Sequence, residues 1–421
     1  MSVGRRALLP APTLPLAYFL GAHLSLGLAA AIMTVSPDMP GAFHYHPRML
    51  AVIHLVTLGW ISASIVGAFY IVAPLAFGMP FAARGADHAA FASFWCGSAG
   101  MVLGFWRPQY GLVGAASLGV VAALAFVAVR AGRGLMRARV PPGVALHVAL
   151  AFLNIVGAGC VGAVLALVRV NGGASWSPLA MAAAHAHLAV LGWAVMMIVG
   201  VAYRLVPMFL PAALPAGRSL AVSAVLLEIG TLGVAWALAR GTPTLPWALV
   251  VLAGIGAFLY QVRAVLANRR ARPAEMTGRD WSTWQTHTAL AYLAVAAAAG
   301  VLIAGAEVPL AWHWAYGVAG ILGFVAQMVV GIQGRLLPMH AWYRAMASLD
   351  GAPPAVSAHR LADGRLALAV FVGWCVAVPT LAVGLAAGWP RVIATGAGAL
   401  LVTTVLQVVH LALIVRRATR V

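Results

Sequence analysis

The sequence predicts an all-α polytopic membrane protein with about 12 transmembrane helices in three pseudo-repeats of four. Three observations carry that expectation. Of 421 residues, 63% are hydrophobic and only 8% charged, a composition far outside the soluble range. Apolar runs long enough to cross a bilayer, about 17 residues or more, follow one another along the whole chain. A sequence template also recurs at close to a third of the chain length, as expected for an internal repeat.

The apolar runs fall near 13–34, 49–76, 89–106, 110–130, 142–168, 178–208, 219–239, 245–267, 283–304, 311–337, 366–387 and 390–415. The first follows Arg5 and Arg6 and has the flanks of a signal peptide, but eleven further spans follow, so it is read as an uncleaved first helix. Spans two and six carry the template in full: His54-Leu-x-x-Leu-Gly-Trp60 with Gly67, Tyr70 and Pro74, and His187-Leu-x-x-Leu-Gly-Trp193 with Gly200, Tyr203 and Pro207. Span ten keeps the frame without the histidine, as Ile321-Leu322-Gly323-Phe324 with Gly331, Arg335, Leu336 and Pro338, where Arg335 and Leu336 answer Arg204 and Leu205. The steps from Gly59 to Gly192 and from Gly192 to Gly323 are nearly equal, so each group of four spans carries its template in second place. The implied repeats are about 1–140, 141–270 and 271–421 within a single transmembrane domain. The two longest loops, 268–282 and 338–365, are too short to fold as separate domains.

From histidine to proline the template runs roughly 20 residues, and at about 1.5 Å per residue that stretch of helix crosses roughly 30 Å, the thickness of the hydrocarbon core. The histidine therefore belongs near one membrane face and the proline near the other. Tyr70 and Tyr203, near the proline ends, read as interface anchors.

The formal charge of +18 comes wholly from arginine, and 21 of the 26 arginines fall on the side of the membrane that holds the N-terminus. By the positive-inside rule both termini are expected in the cytoplasm, in a cytoplasmic (inner) membrane. The charge thus needs membrane lipid as a partner and no nucleic acid. Spans two, six and ten then run from outside to inside, which puts His54, His185, His187 and His313 at one depth in the outer part of the membrane.

Cys96, Cys160 and Cys375 are scattered in apolar spans without a C-x-x-C-H sequence, which argues against covalent haem attachment. No P-loop or G-x-G-x-x-G context is present. The chemistry therefore rests on histidine. A neutral imidazole ligates haem iron or copper, and polar groups persist in lipid where something binds them. The bland alternative for each ring is a packing histidine bonded to a neighbouring carbonyl.

His54, His187 and His313 are the leading metal candidates. His185 is two residues from His187, about 200° round a regular helix, so both cannot ligate one metal. His44 and His46 lie in the loop before span two and are further metal candidates. Arg48 is a candidate partner for a haem propionate. Among eight acids only Glu228 lies in mid-span, and it is the candidate catalytic group as a proton carrier or metal-site neighbour. His23, His147 and His287 sit on the first span of their groups, where packing is the expected role.

Twelve helices in three groups of four, with histidines at the outer ends of spans two, six and ten, resemble subunit I of the haem-copper oxidase superfamily, nearest its cbb-type cytochrome c oxidase and nitric oxide reductase branches. The resemblance implies a haem held between His54 and His313, His187 on the copper side with His185 in reserve, and redox or O2/NO chemistry in respiratory electron transport. It also implies an electron donor, either a protein or a quinol, and further subunits. The departures are specific: span seven, where that family carries two adjacent histidines, has none, and span ten has only His313, five residues ahead of Val318, the position matching His54. The His-x-His-Pro loop before span two is also similar to NnrS-type haem and copper membrane proteins, which implies a non-enzymatic role in the nitric oxide response. A transporter is the third reading, although the template helices all run in one direction rather than inverted.

Overall fold

The computed structural model describes residues 8–42, 45–172, 175–271, 279–349 and 352–420. Every regular element among the described residues is helical, and 12 helices are long and apolar enough to cross a membrane. In chain order they are α1 (Leu14–Val35), α2 (Pro47–Leu75), α3 (Gly85–Trp106), α4 (Tyr110–Leu135), α5 (Pro142–Asn171), α6 (Pro178–Phe209), α7 (Ser219–Arg240), α8 (Leu245–Ala267), α9 (Trp281–Gly305), α10 (Leu310–Ser348), α11 (Gly364–Ala387) and α12 (Pro390–Ala418). The protein is an all-α multi-pass membrane protein, and each expected span is found. The largest difference is α10, which runs through Pro338 to Ser348, well past the expected end at 337.

Helix boundaries follow local chemistry. Proline opens α2, α5, α6 and α12, where its missing N–H has no partner to lose. Gly241 and Gly388 end α7 and α11 at φ 66° and 64°, a left-handed turn that a side chain would strain.

The helices form two compact units. One holds α1, α2, most of α9, α10, α11 and α12; the other holds α3 to α8 and the end of α9. In the first, α1 packs between α2 and α12, α11 lies along α12, and α10 touches α2, α11 and α12. In the second, α4 packs between α3 and α5, α6 and α7 lie against α5, and α8 lies along α7. The template helices are the most enclosed: 72% of the α2 core, 78% of α6 and 61% of α10 is buried, against 56% for the next, α7. Side chains on these three helices are therefore the best shielded from lipid.

The three templates share a local structure that is silent in the sequence. Leu55–Ser62 in α2, Leu188–Val195 in α6 and Ala319–Ala326 in α10 are each eight residues of π-helix set inside an α-helix. The Ala63 N–H reaches Leu58 O and the Met196 N–H reaches Leu191 O, one residue further back than in an α-helix. Each segment has glycine in fifth place, and each glycine is where the preceding helix crosses closely. A Cβ on Gly59 would lie 2.7 Å from Ser25 Oγ, on Gly192 2.7 Å from Asn154 Cγ, and on Gly323 2.5 Å from Tyr292 Cδ1. Two turns on, Gly67, Gly200 and Gly331 repeat the crossing against Tyr18, His147 and Thr286. Small residues let helices approach where lipid removes the hydrophobic drive to associate.

A second repeated device joins the third and fourth helices of each group. Asp87 pairs with Arg130 between α3 and α4, Ser219 with Gln261 between α7 and α8, and Asp363 with Arg417 between α11 and α12. Asp87 and Ser219 are 132 residues apart and Arg130 and Gln261 131, within two residues of the 133 between the first two templates, so these pairs hold closely matching places in their groups.

Candidate functional site

His54 and His187 occupy equivalent places in equivalent helices. Each ends an α-helical stretch, and the next residue begins the π segment. His54 Nδ1 is 2.7 Å from Leu50 O, and His187 Nδ1 is 2.8 Å from Ala183 O. A carbonyl only accepts, so Nδ1 donates, and the neutral ring presents Nε2 as its lone-pair nitrogen. Proteins fix the tautomer of a metal-binding imidazole in the same way.

That bond alone does not single them out, because His23 and His147 make it to Phe19 O and Gly143 O at 2.7 Å. Those two rings are buried outright. His54 and His187 are half-buried, so each ring keeps accessible surface. Interrupted helical geometry beside them adds to the case, since π segments concentrate at functional positions.

In the unit of α3 to α8, His185 and His187 point apart, as helical periodicity requires. His185 turns to α5, where its Nδ1 is 2.8 Å from Ala158 O. One turn away on α5, Asn154 donates from Nδ2 to Glu228 Oε2 at 2.7 Å and to Leu150 O at 3.0 Å. Asn154 is also the residue that Gly192 admits. Glu228 of α7 is thus linked through one amide to the π segment that begins after His187.

In the other unit, the π segments of α2 and α10 lie against each other. His313 is exposed in the first turn of α10, five residues before Val318. Arg48 is exposed in the first turn of α2. His46 caps α2, accepting the Arg48 backbone N–H on Nδ1 at 3.3 Å. His44 lies outside the described residues.

Among the described residues, no three His, Cys, Asp or Glu side chains converge as a metal-binding group. A copper site built from three protein ligands therefore does not fit them. Haem asks for less, because the porphyrin supplies four nitrogens and the protein one or two axial ligands. His54, with its tautomer fixed by Leu50 O and its ring only half-buried, fits that requirement.

Two constellations lie outside the sequence reading. Tyr203 is not an interface anchor: its ring is buried, and its hydroxyl lies 2.9 Å from Ser223 Oγ, which lies 3.1 Å from His147 Nε2 and 3.1 Å from Leu220 O. Ser223 has one proton for two acceptors, so Tyr203 donates to it. Tyr70 is likewise buried and stacks on Tyr18. The second constellation is four buried glutamines, Gln285, Gln327, Gln333 and Gln407, on α9, α10 and α12. A mid-span amide in an apolar helix is the available signal for these and for Asn154. Comparison with models of protein families and with curated proteins gives no match to this chain.

Proposed function

We propose that the protein is a multi-pass haem protein of the cytoplasmic membrane, with His54 as an axial ligand and a redox or diatomic-gas role. The observation that supports it most is the shared placement of His54 and His187, each fixed by a carbonyl four residues back and standing at the entrance to a π segment in the best-shielded helices. Haem would supply one-electron chemistry and binding of O2 or NO at iron. The chain's own part is to hold the His54 ring in one tautomer, keep lipid and bulk water from it, and keep a carboxyl on α7 hydrogen-bonded to Asn154 beside α6. His313 is the proposed second axial ligand, Arg48 the partner of a propionate, and His187 the ligand of any further metal.

The arginine asymmetry supports cytoplasmic termini, with the histidine ends facing outward. Electrons would then enter from the outer side, from a donor protein or a quinol.

A non-enzymatic haem protein that binds nitric oxide is the second reading. It is favoured by the absence of histidine from the α7 sequence, Ser219–Arg240. Purified protein assayed for haem, metals, and O2 and NO consumption separates the two. Haem with turnover supports the enzyme, haem without turnover the binding protein, and no chromophore removes both.

A further inference from the structure

Six exposed arginines stand at one end of the unit of α3 to α8. Arg133, Arg137 and Arg139 lie where α4 turns into α5, Arg218 is the residue before α7, and Arg269 and Arg270 follow α8. The fold brings these three connections together. A Cβ on Gly143, in the first turn of α5, would lie 2.6 Å from Leu220 Cβ and 2.7 Å from the Ala221 nitrogen, so the starts of α5 and α7 touch. The Arg270 backbone N–H donates to Pro211 O at 2.8 Å in the connection that leads to Arg218, and Gln261 of α8 bonds to Ser219.

No acid offsets them. The buried Asp87 carboxyl is taken by Arg130, and among the described residues none of the six arginines forms an ion pair. Like charges gathered in this way repel one another unless an anion neutralises them. The positive-inside bias accounts for the number of arginines at this end but not for their convergence from three connections. Each also stands within three residues of the end of a membrane-crossing helix, which keeps its guanidinium at headgroup depth. Met136, 80% exposed between Arg133 and Arg137, and Leu214, 44% exposed, put apolar surface beside the charge. A cationic surface interleaved with apolar side chains at that depth matches the boundary between headgroup and acyl chain. A free polyanion would meet the charge and leave Met136 bare.

We infer that this end of the unit binds the headgroup of an anionic phospholipid, with its phosphate set among Arg137, Arg139 and Arg218 and an acyl chain running past Met136. Arginine suits that role, because its forked donors meet two phosphate oxygens at once. The inference requires only that the helices cross a membrane and does not rest on the haem reading.

Native mass spectrometry and thermal unfolding of the whole protein in detergent, with cardiolipin or phosphatidylcholine added, test it. The unaltered protein is expected to retain cardiolipin in preference and to unfold at a higher temperature with it. In the triple variant Arg137→Gln, Arg139→Gln, Arg218→Gln that preference is expected to fall by about tenfold or more, since each arginine near an anionic surface strengthens binding about fivefold. The triple variant Arg360→Gln, Arg365→Gln, Arg416→Gln removes the same charge from the other unit and is expected to keep the preference. Inorganic phosphate alone is expected not to reproduce the stabilisation, because it has no acyl chain. No preference for cardiolipin in the unaltered protein, equal loss in both triple variants, or equal stabilisation by inorganic phosphate would overturn the inference, and the first of these needs no variant to fold.

Discussion

Asn154 donates its side-chain amide to the Glu228 carboxyl at 2.7 Å, and the same amide fills the space left by the missing side chain of Gly192. One residue of α5 thus couples the lone mid-span acid of α7 to the π segment of α6. Asn154→Leu removes the donor and leaves Glu228 without that bond, an expected loss of about 1–3 kcal/mol. Glu228→Gln retains an acceptor and is expected to unfold near the parent temperature while slowing any proton-coupled turnover. Thermal unfolding in detergent, with Asn154→Leu, Glu228→Leu and the double variant, reads the coupling, since each single variant removes the bond; additive effects would separate the two residues.

Close approach at the π-segment glycines makes them sensitive to one methyl group. Gly59→Ala and Gly192→Ala would press on Ser25 and Asn154, with an expected cost of about 1–3 kcal/mol each. Gly157→Ala, on α5 with nothing within 4 Å, is the control and is expected to be neutral or slightly stabilising. Equal melting temperatures for all three would mean that the crossings are looser than described.

Asp363 gives a pH dependence of known sign. The Arg417 guanidinium, followed by the Leu366 backbone N–H, holds its carboxyl below the ordinary value of 3.8. A folded-state value depressed in this way contributes stability above the unfolded-state value, and the contribution is lost as pH falls through the folded-state one. The side chain is 30% exposed, and solvent screening keeps the effect below about 1 kcal/mol. Asp363→Asn should therefore lower the unfolding temperature at neutral pH and matter less towards pH 3. A difference that grows on acidification would reverse the assignment.

Orientation is open to a direct check. A reporter fused after Val421 is expected to read cytoplasmic, because the arginine-rich connections lie on that side. A periplasmic reading would turn the histidine ends of α2 and α6 towards the cytoplasm.

The spans are legible in the sequence because a bilayer demands length and apolarity, and both can be read directly. The repeat is legible from residue identity at fixed offsets, and the divergence of His185 from His187 from helical periodicity alone. The π geometry is not, because Leu-x-x-Leu-Gly-Trp reads the same in an uninterrupted α-helix. Only the close fit of Gly59 on Ser25 and Gly192 on Asn154 reveals why glycine recurs there. Depth along a helix does not tell which face a residue occupies, which is why Tyr203 reads as an anchor; its partners Ser223 and His147 lie on two other helices. Pro338 misleads in a similar way, since α10 accommodates it within a continuous helix.

The reduced-minus-oxidised absorption spectrum of purified protein, compared with that of His54→Ala, bears most directly on the function proposed. A haem signal is expected in the parent and is expected to be lost or strongly altered in the variant, with membrane insertion retained because the apolar helices carry the fold. An identical spectrum in both proteins, or no haem in the parent, would contradict His54 as a ligand.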